Sequence, residues 1–160
     1  MNLGTYNNQN INLDFAHNLV LKNKHSFKSF KNSFGYIKNY HEFDEDKNYF
    51  FCTQTADKRV IYLTSSKLRG LLTLVNNLYS KVYYDDSNDI SKIIDDIEYL
   101  DVKFAYEAGR DATVKKFLDE SLLRQLLPNV IKKNSKKYFI DYCKYFEAYV
   151  AYMKFEGMGD

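Results

Sequence analysis

The chain has 160 residues, of which 45% are apolar, and this length suffices for one domain with a sizeable hydrophobic core. Its formal net charge of +2 excludes a protein that attracts nucleic acid with its whole surface, so any phosphate-binding surface must be local. No apolar run approaches the length of a membrane span, and the first residues lack the pattern of a signal peptide. The two cysteines, Cys52 and Cys143, form no C-x-x-C pair and are typical of reduced thiols in a cytoplasmic protein.

The first 60 residues are rich in asparagine and weakly patterned, and they predict a partly ordered, less regular N-terminal extension. One part of this extension predicts a short amphipathic helix over residues 26–38. Its apolar residues recur three and four positions apart, at Phe27, Phe30, Phe34 and Ile37. Farther along, Tyr49 to Cys52 and Val60 to Leu63 are compatible with two short strands of a hairpin.

Beyond Leu63 the apolar residues follow helical periodicity, which predicts an all-α domain over residues 61–160. About five helices are expected, packed as a compact bundle. Residues suited to begin, end or redirect these helices stand between the apolar segments. In chain order they are Thr64 to Ser66, Gly109, Asp111, Pro128, Ser135 and Gly157.

Motifs for catalysis, metals and cofactors are missing from the sequence. His17, His25 and His41 are not paired with one another or with a cysteine at the spacing of metal ligands. There is no P-loop and no dinucleotide-binding fingerprint. We therefore expect a binding protein without metal or cofactor, and not an enzyme. A nuclease that uses the three histidines is the disfavoured alternative.

Two predicted helices have polar faces suited to an RNA backbone. Arg69 and Asn76 lie one heptad apart, and a guanidinium or an amide can hydrogen-bond phosphate and sugar oxygens. The next helix has alternating aromatic and basic residues that can stack on exposed bases and neutralise phosphates. These residues, here named the tyrosine–cation stripe, are Tyr99, Lys103, Tyr106 and Arg110. The structural alternatives are a solvated face for the first helix and tyrosines packed against neighbouring helices for the second.

The predicted last helix carries two further patterns. Four lysines surround its start, at Lys132, Lys133, Lys136 and Lys137. Cations are unfavourable at a helix N-terminus, so a phosphate ligand is one explanation and a plain exposed loop is the other. Tyrosines recur every seven residues, at Tyr138, Tyr145 and Tyr152, which indicates either a seam for another subunit or core packing.

Three segments carry a resemblance to a known family. They are TSSKLRGLLTLVNNLY (64–79), EYLDVKFAYEAGRD (98–111) and KKYFIDYCKYFEAYVAYMKFEG (136–157). In this order, over roughly residues 60–157, they resemble the small subunit of the type III-A CRISPR effector, the Csm complex. The resemblance implies a helical subunit repeated beside the backbone subunits of a crRNA-guided particle. It also implies contact with target RNA paired to the guide, while cleavage belongs to the backbone and large subunits.

The sequence therefore predicts a non-catalytic subunit that binds the RNA backbone without reading its sequence. Its expected partners are target RNA, crRNA, further copies of itself, and the backbone and large subunits, with no membrane. The candidate RNA-binding residues are Lys67, Arg69, Asn76, Lys103, Arg110, Lys132, Lys133 and Lys137, which charge and helix face single out. The alternative is a structural spacer that docks to neighbouring subunits through Tyr138, Tyr145 and Tyr152 without significant RNA contact.

Overall fold

The computed structural model describes residues 1–34, 49–57 and 59–158, and of residues 25–34 it describes the backbone alone. Six α-helices and two small β-hairpins make up this part of the chain. The prediction of a mainly helical, compact fold is confirmed. The helices are α1 (Leu13–Phe34), α2 (Ser65–Tyr83), α3 (Ile94–Arg110), α4 (Ala112–Ser121), α5 (Leu127–Lys133) and α6 (Lys136–Phe155).

The two hairpins are both antiparallel. In the first, β1 (Thr5–Tyr6) pairs with β2 (Gln9–Asn10) through a two-residue turn. In the second, β3 (Phe50–Gln54) pairs with β4 (Val60–Leu63), close to the segments that the sequence predicts as extended.

Side-chain caps begin three of the helices as predicted. The Thr64 hydroxyl accepts a hydrogen bond from the Lys67 amide in α2, and the Ser135 hydroxyl accepts one from the Tyr138 amide in α6. Asp111 caps α4 by accepting a bond from the Thr113 amide at 2.9 Å. The predicted stop at Gly109 is wrong, because α3 continues to Arg110 and the chain turns only at the extended backbone of Asp111.

Pro128 lies in the first turn of α5, where its missing N–H has no intrahelical acceptor to lose. Pro128 therefore lies at the start of α5, after the chain has changed direction, and does not interrupt a helix. No helix in the described part of the chain is long and apolar enough to cross a membrane. The cytoplasmic location stays a prediction.

The hydrophobic core is built around α6. Its Phe139, Tyr142, Tyr145 and Phe146 are fully buried, and α1 and α2 pack against the helix on either side of this row. Such burial contributes about 1.5–3 kcal/mol for each large apolar side chain. The position of α6 at the centre explains why the last helix is apolar on more than one face.

Residues before position 60 belong to the same core. Leu3, Ile11, Ala16 and Val20 are buried in one cluster with the side chains of α6. The helix predicted over residues 26–38 begins earlier, at Leu13, and residues 35–38 lie outside the described residues. The division of the chain at residue 60 stays a prediction.

Candidate nucleic-acid interface

Helices α2 and α3 lie side by side in opposite directions. Lys67 in the first turn of α2 forms an ion pair with Asp111, which directly follows α3. At the other end of the pair, the Lys81 ammonium lies 3.5 Å from an Asp96 carboxylate oxygen in the first turn of α3. These ion pairs at both ends show that the two helices are antiparallel neighbours, and exposed pairs of this kind contribute only about 0–1 kcal/mol each.

The tyrosine–cation stripe lies on the exposed side of α3. Tyr99 and Tyr106 are 60% and 65% exposed, so they do not pack against neighbouring helices within the described part of the chain. The Lys103 ammonium lies 4.9 Å from the ring centre of Tyr99, and the Arg110 guanidinium lies 5.5 Å from that of Tyr106. Each tyrosine therefore carries one cation at cation–π distance.

Arg110 contacts two residues in the preceding turn of α3, Tyr106 and Glu107. Tyr106 and then Glu107 raise the pKa of its guanidinium above the already high usual value, so the group stays charged. Its Nε lies 3.4 Å from the Glu107 carboxylate, one helical turn earlier. The side chain remains exposed and can still present its outer nitrogens to a phosphate.

A groove of about 320 Å³ separates α2 from the end of α3. Leu71 and Leu74 line its floor, and Gly70 leaves open space above them. At its mouth, Lys67 is engaged by Asp111 rather than free. Burial raises the pKa of Asp111, but hydrogen bonds from Lys67 and Thr113 outweigh that effect and lower it. Lys67 therefore stabilises the capping residue Asp111 at the start of α4. A phosphate would have to share the Lys67 ammonium with Asp111.

Arg69 and Asn76 lie on a different side of α2 from this groove. At 3.6 residues per turn, Arg69 is about 200° around the helix from Lys67. Both side chains are exposed, and neither has a hydrogen-bond or ion-pair partner within residues 1–34, 49–57 and 59–158. The structure leaves this pair available but does not bring it together with the tyrosine–cation stripe.

The lysines near α6 have different surroundings. Lys136 donates a 2.6 Å hydrogen bond to the Asp85 carbonyl and so anchors the loop after α2. Lys137 lies 3.1 Å from Asp141 and is 84% exposed. The ammonium of Lys133 lies 5.3 Å from the Tyr138 ring centre, and Lys132 is exposed.

This lysine group and Arg110 lie at opposite ends of the α2–α3 pair. The Lys136 bond places the lysines at the end of α2, whereas Lys67 and Asp111 mark its beginning. The 17 helical positions between Lys67 and Tyr83 span roughly 25 Å at 1.5 Å per residue. The predicted RNA-binding residues thus form separate groups rather than one patch.

The tyrosine repeat on α6 is mostly internal. Tyr138 donates a 2.6 Å hydrogen bond to the Leu3 carbonyl, and Tyr145 donates a 2.8 Å bond to the Ser121 carbonyl. Burial raises the pKa of both phenols. Core packing, the alternative to a subunit seam, therefore describes these two residues. Tyr152 is only half buried and stacks on His17 at 4.5 Å between ring centres.

The residues considered for catalysis are dispersed. His17 bonds Glu156 at 2.9 Å, while the side chains of His25 and His41 lie outside the described residues. In residues 1–34, 49–57 and 59–158 there is no cluster of three His, Cys, Asp or Glu side chains able to hold a metal ion. Burial raises the pKa of the Cys52 thiol to about 12 and raises that of Cys143 as well.

Comparison with known proteins identifies the family. The model of the Csm2 family, type III-A, matches residues 52–158, which is more than half of the chain. The chain belongs to the Csm2 family. This confirms the resemblance to the small subunit of the type III-A CRISPR effector.

Individual members of the Csm2 family share about a third to a half of the matched positions. The "CRISPR system Cms protein Csm2" of Enterococcus italicus is 54% identical over 99 residues, covering 61% of this chain and 71% of that protein. The protein of the same name from Streptococcus thermophilus is 35% identical over 98 residues, covering 61% and 76%. That from Mycobacterium tuberculosis is 30% identical over 94 residues, covering 58% and 74%.

The Csm2 match contains all of the candidate RNA-binding residues, whereas α1 and the β1–β2 hairpin precede it. Sequence reasoning missed the groove between α2 and α3 and the anchoring role of Lys136. Both depend on contacts between residues that are distant in sequence, and no local pattern marks such contacts. The capping role of Asp111 was visible, but its second role as the partner of Lys67 was not.

Proposed function

We propose that this Csm2-family small subunit binds the sugar-phosphate backbone of target RNA paired with crRNA in the type III-A (Csm) complex, without cleaving it. The observation that carries the proposal is the tyrosine–cation stripe. Two exposed tyrosines, each with a cation over its ring, lie on one face of α3, which ion pairs join to α2 at both ends. Such a face offers fixed positive charge and stacking area but no group poised for proton transfer.

The tyrosine–cation stripe indicates a path for the RNA along α3. Equivalent groups in the stripe are seven residues apart, or about 10 Å along α3. RNA following the helix would meet Arg110 and Tyr106 first, and then Lys103 and Tyr99. Continued over the length of α3, the same path leads toward Lys133 and Lys137 at the other end. Arg69 and Asn76 would be a second contact on another side of α2.

Binding by one copy should be weak. Each phosphate contact contributes a salt slope of about 0.7–0.9, and the stripe supplies two cations. Further copies in the same particle would raise the effective affinity without new contacts. Sequence specificity would come from guide pairing, because backbone contacts carry no sequence information.

The proposal is tested in the assembled complex with the double variant Lys103→Gln/Arg110→Gln. Target-RNA affinity should fall, and the salt slope should decrease by about 1–2 for each copy that contacts RNA. The matched control is Lys115→Gln/Arg124→Gln, which removes one exposed lysine and one exposed arginine outside the stripe, each of them ion-paired as Arg110 is. The control should leave affinity and slope unchanged.

Unchanged affinity and slope in the stripe variant, with subunit stoichiometry intact, would contradict RNA binding by the stripe. If Tyr152→Ala then released the subunit from the complex, the structural spacer would be the better description. Of the three tyrosines in the repeat, Tyr152 is the one that is partly accessible.

A further inference from the structure

A second concave surface is built mainly by the part of the chain that precedes the Csm2 match. It is a trough of about 890 Å³ between the β1–β2 hairpin, the first half of α1 and the end of α4. Ten of its thirteen lining residues come from positions 6–22, before the match begins at residue 52. Its volume falls within the usual range of about 300–1,000 Å³ for binding sites.

The walls of the trough are well defined. Asn7 and Asn8 adopt φ of 50° and 63°, which suits the tight turn of a two-residue hairpin and which asparagine tolerates. The hairpin holds Tyr6, 50% exposed, at the rim. On α1, Phe15 and Leu19 recur at helical spacing and give the trough an apolar base.

Unused hydrogen-bonding groups surround this base. Within the described residues, no partner engages the side-chain amides of Asn7, Gln9, Asn10 and Asn18, all of which line the trough. Each carboxamide offers both donors and an acceptor, which is the combination that a peptide group requires. By contrast, Asn12 is occupied, because it caps α1 by accepting a bond from the Phe15 amide.

The charge of the trough is negative. Asp14, Asp119 and Glu120 line it, against Lys22 as the one cation among the lining residues that the structure describes. Asp119 is engaged by Lys115, and one oxygen of Glu120 accepts a 3.1 Å hydrogen bond from Asn23, whereas Asp14 is exposed. This balance disfavours phosphate and favours lysine or arginine.

We propose that the trough is a docking site for an extended peptide segment of a partner protein that carries lysine or arginine. The amides bind its main chain, Tyr6 and Phe15 pack against the stems of its side chains, and Asp14 and Glu120 receive the cation. From Asp14 to Lys22 the wall of α1 is about 12 Å long, which matches about four residues of extended chain.

The test is a nuclear magnetic resonance titration of the full-length, ¹⁵N-labelled protein with the peptide acetyl-Gly-Arg-Gly-Lys-Gly-amide. The side-chain amide signals of the four unengaged trough residues should shift in a saturable manner. A peptide with glutamate in place of arginine and lysine should leave them unmoved. Asp14→Asn should weaken binding about threefold, as expected for one exposed ion pair. Asp86→Asn, the same change at an exposed site outside the trough, should have no effect.

Three outcomes would overturn the proposal. The first is the absence of saturable shifts at the trough. The second is an equal response to an oligouridylate, which would make nucleic acid the occupant. The third is the same shifts on concentrating the protein alone, which would make a second copy the occupant.

Discussion

Removing one buried hydroxyl tests the assignment of the α6 tyrosines to the core. In the native chain the Tyr145 hydroxyl contacts the Ser121 carbonyl at 2.8 Å and the Tyr149 hydroxyl at 2.6 Å. Because a carbonyl cannot donate, Tyr145 must donate to Ser121 and accept from Tyr149. The substitution Tyr145→Phe therefore leaves a buried acceptor and a buried donor without partners.

The expected magnitude follows from these two losses. A buried polar group that loses its partner costs about 1–3 kcal/mol, so the two losses in Tyr145→Phe should lower the free energy of unfolding by about 2–6 kcal/mol. Tyr149→Phe should cost less, roughly 1 kcal/mol, because the Tyr145 hydroxyl keeps its bond to Ser121. The double variant should cost less than the sum, since the two hydroxyls share one bond.

Urea unfolding followed by circular dichroism measures these differences. The slope of the free energy of unfolding against urea concentration should be the same in all variants. Tyr99→Phe is the matched control. It makes the same chemical change at a 60% exposed site and should stay within about 0.5 kcal/mol of the parent. The reasoning fails if Tyr145→Phe is as neutral as this control, or if Tyr149→Phe is the more costly of the two.

Two other predictions concern charge and reactivity. In Asp111→Asn the side chain can still cap α4, but its ion pair with Lys67 is lost, so the free energy of unfolding near neutral pH should fall by about 0.5–1 kcal/mol. The pKa of folded Asp111 is lowered, so the ion pair stabilises the native protein above about pH 4 and this stabilisation is lost on acidification. In urea unfolding experiments below about pH 4, the free energy of unfolding should therefore fall less steeply with decreasing pH in the variant than in the parent. Cys52 and Cys143 should resist a thiol-reactive disulfide reagent at about pH 8 until urea unfolds the chain, because burial keeps both as thiols. Rapid labelling of the folded protein would contradict that burial.

The helices after residue 64 were predictable because their determinants are local. The capping side chains of Thr64, Asp111 and Ser135 and the apolar periodicity between them act within one or two turns. Helix α1 also has a capping side chain in Asn12, but its apolar pattern is weak, since its buried face includes Ala16 and Asn23, and the helix packs on α6. Sequence reasoning missed its start at Leu13 because that apolar pattern was weak.

The candidate site was predictable only in part. Helical spacing placed Tyr99, Lys103, Tyr106 and Arg110 on one side of a helix, but spacing does not reveal whether a neighbouring helix covers that side. Likewise, the ion pair between Lys67 and Asp111 joins residues 44 positions apart and exists only because α2 and α3 are antiparallel. Charge patterns thus identified the cations, and tertiary contacts decided which of them are engaged.

Contacts between residues 3–17 and residues 138–156 determine when the core can form. Tyr138 reaches the Leu3 carbonyl across 135 positions, and Glu156 reaches His17 across 139. Until the ribosome has made α6, the apolar side of α1 lacks the helix that it packs against, because α6 lies more than 100 residues later in the chain. Closing such long loops is entropically costly and slow compared with forming a local helix. The native core therefore assembles only after α6 has left the ribosome, and until then the apolar side of nascent α1 is exposed to aggregation.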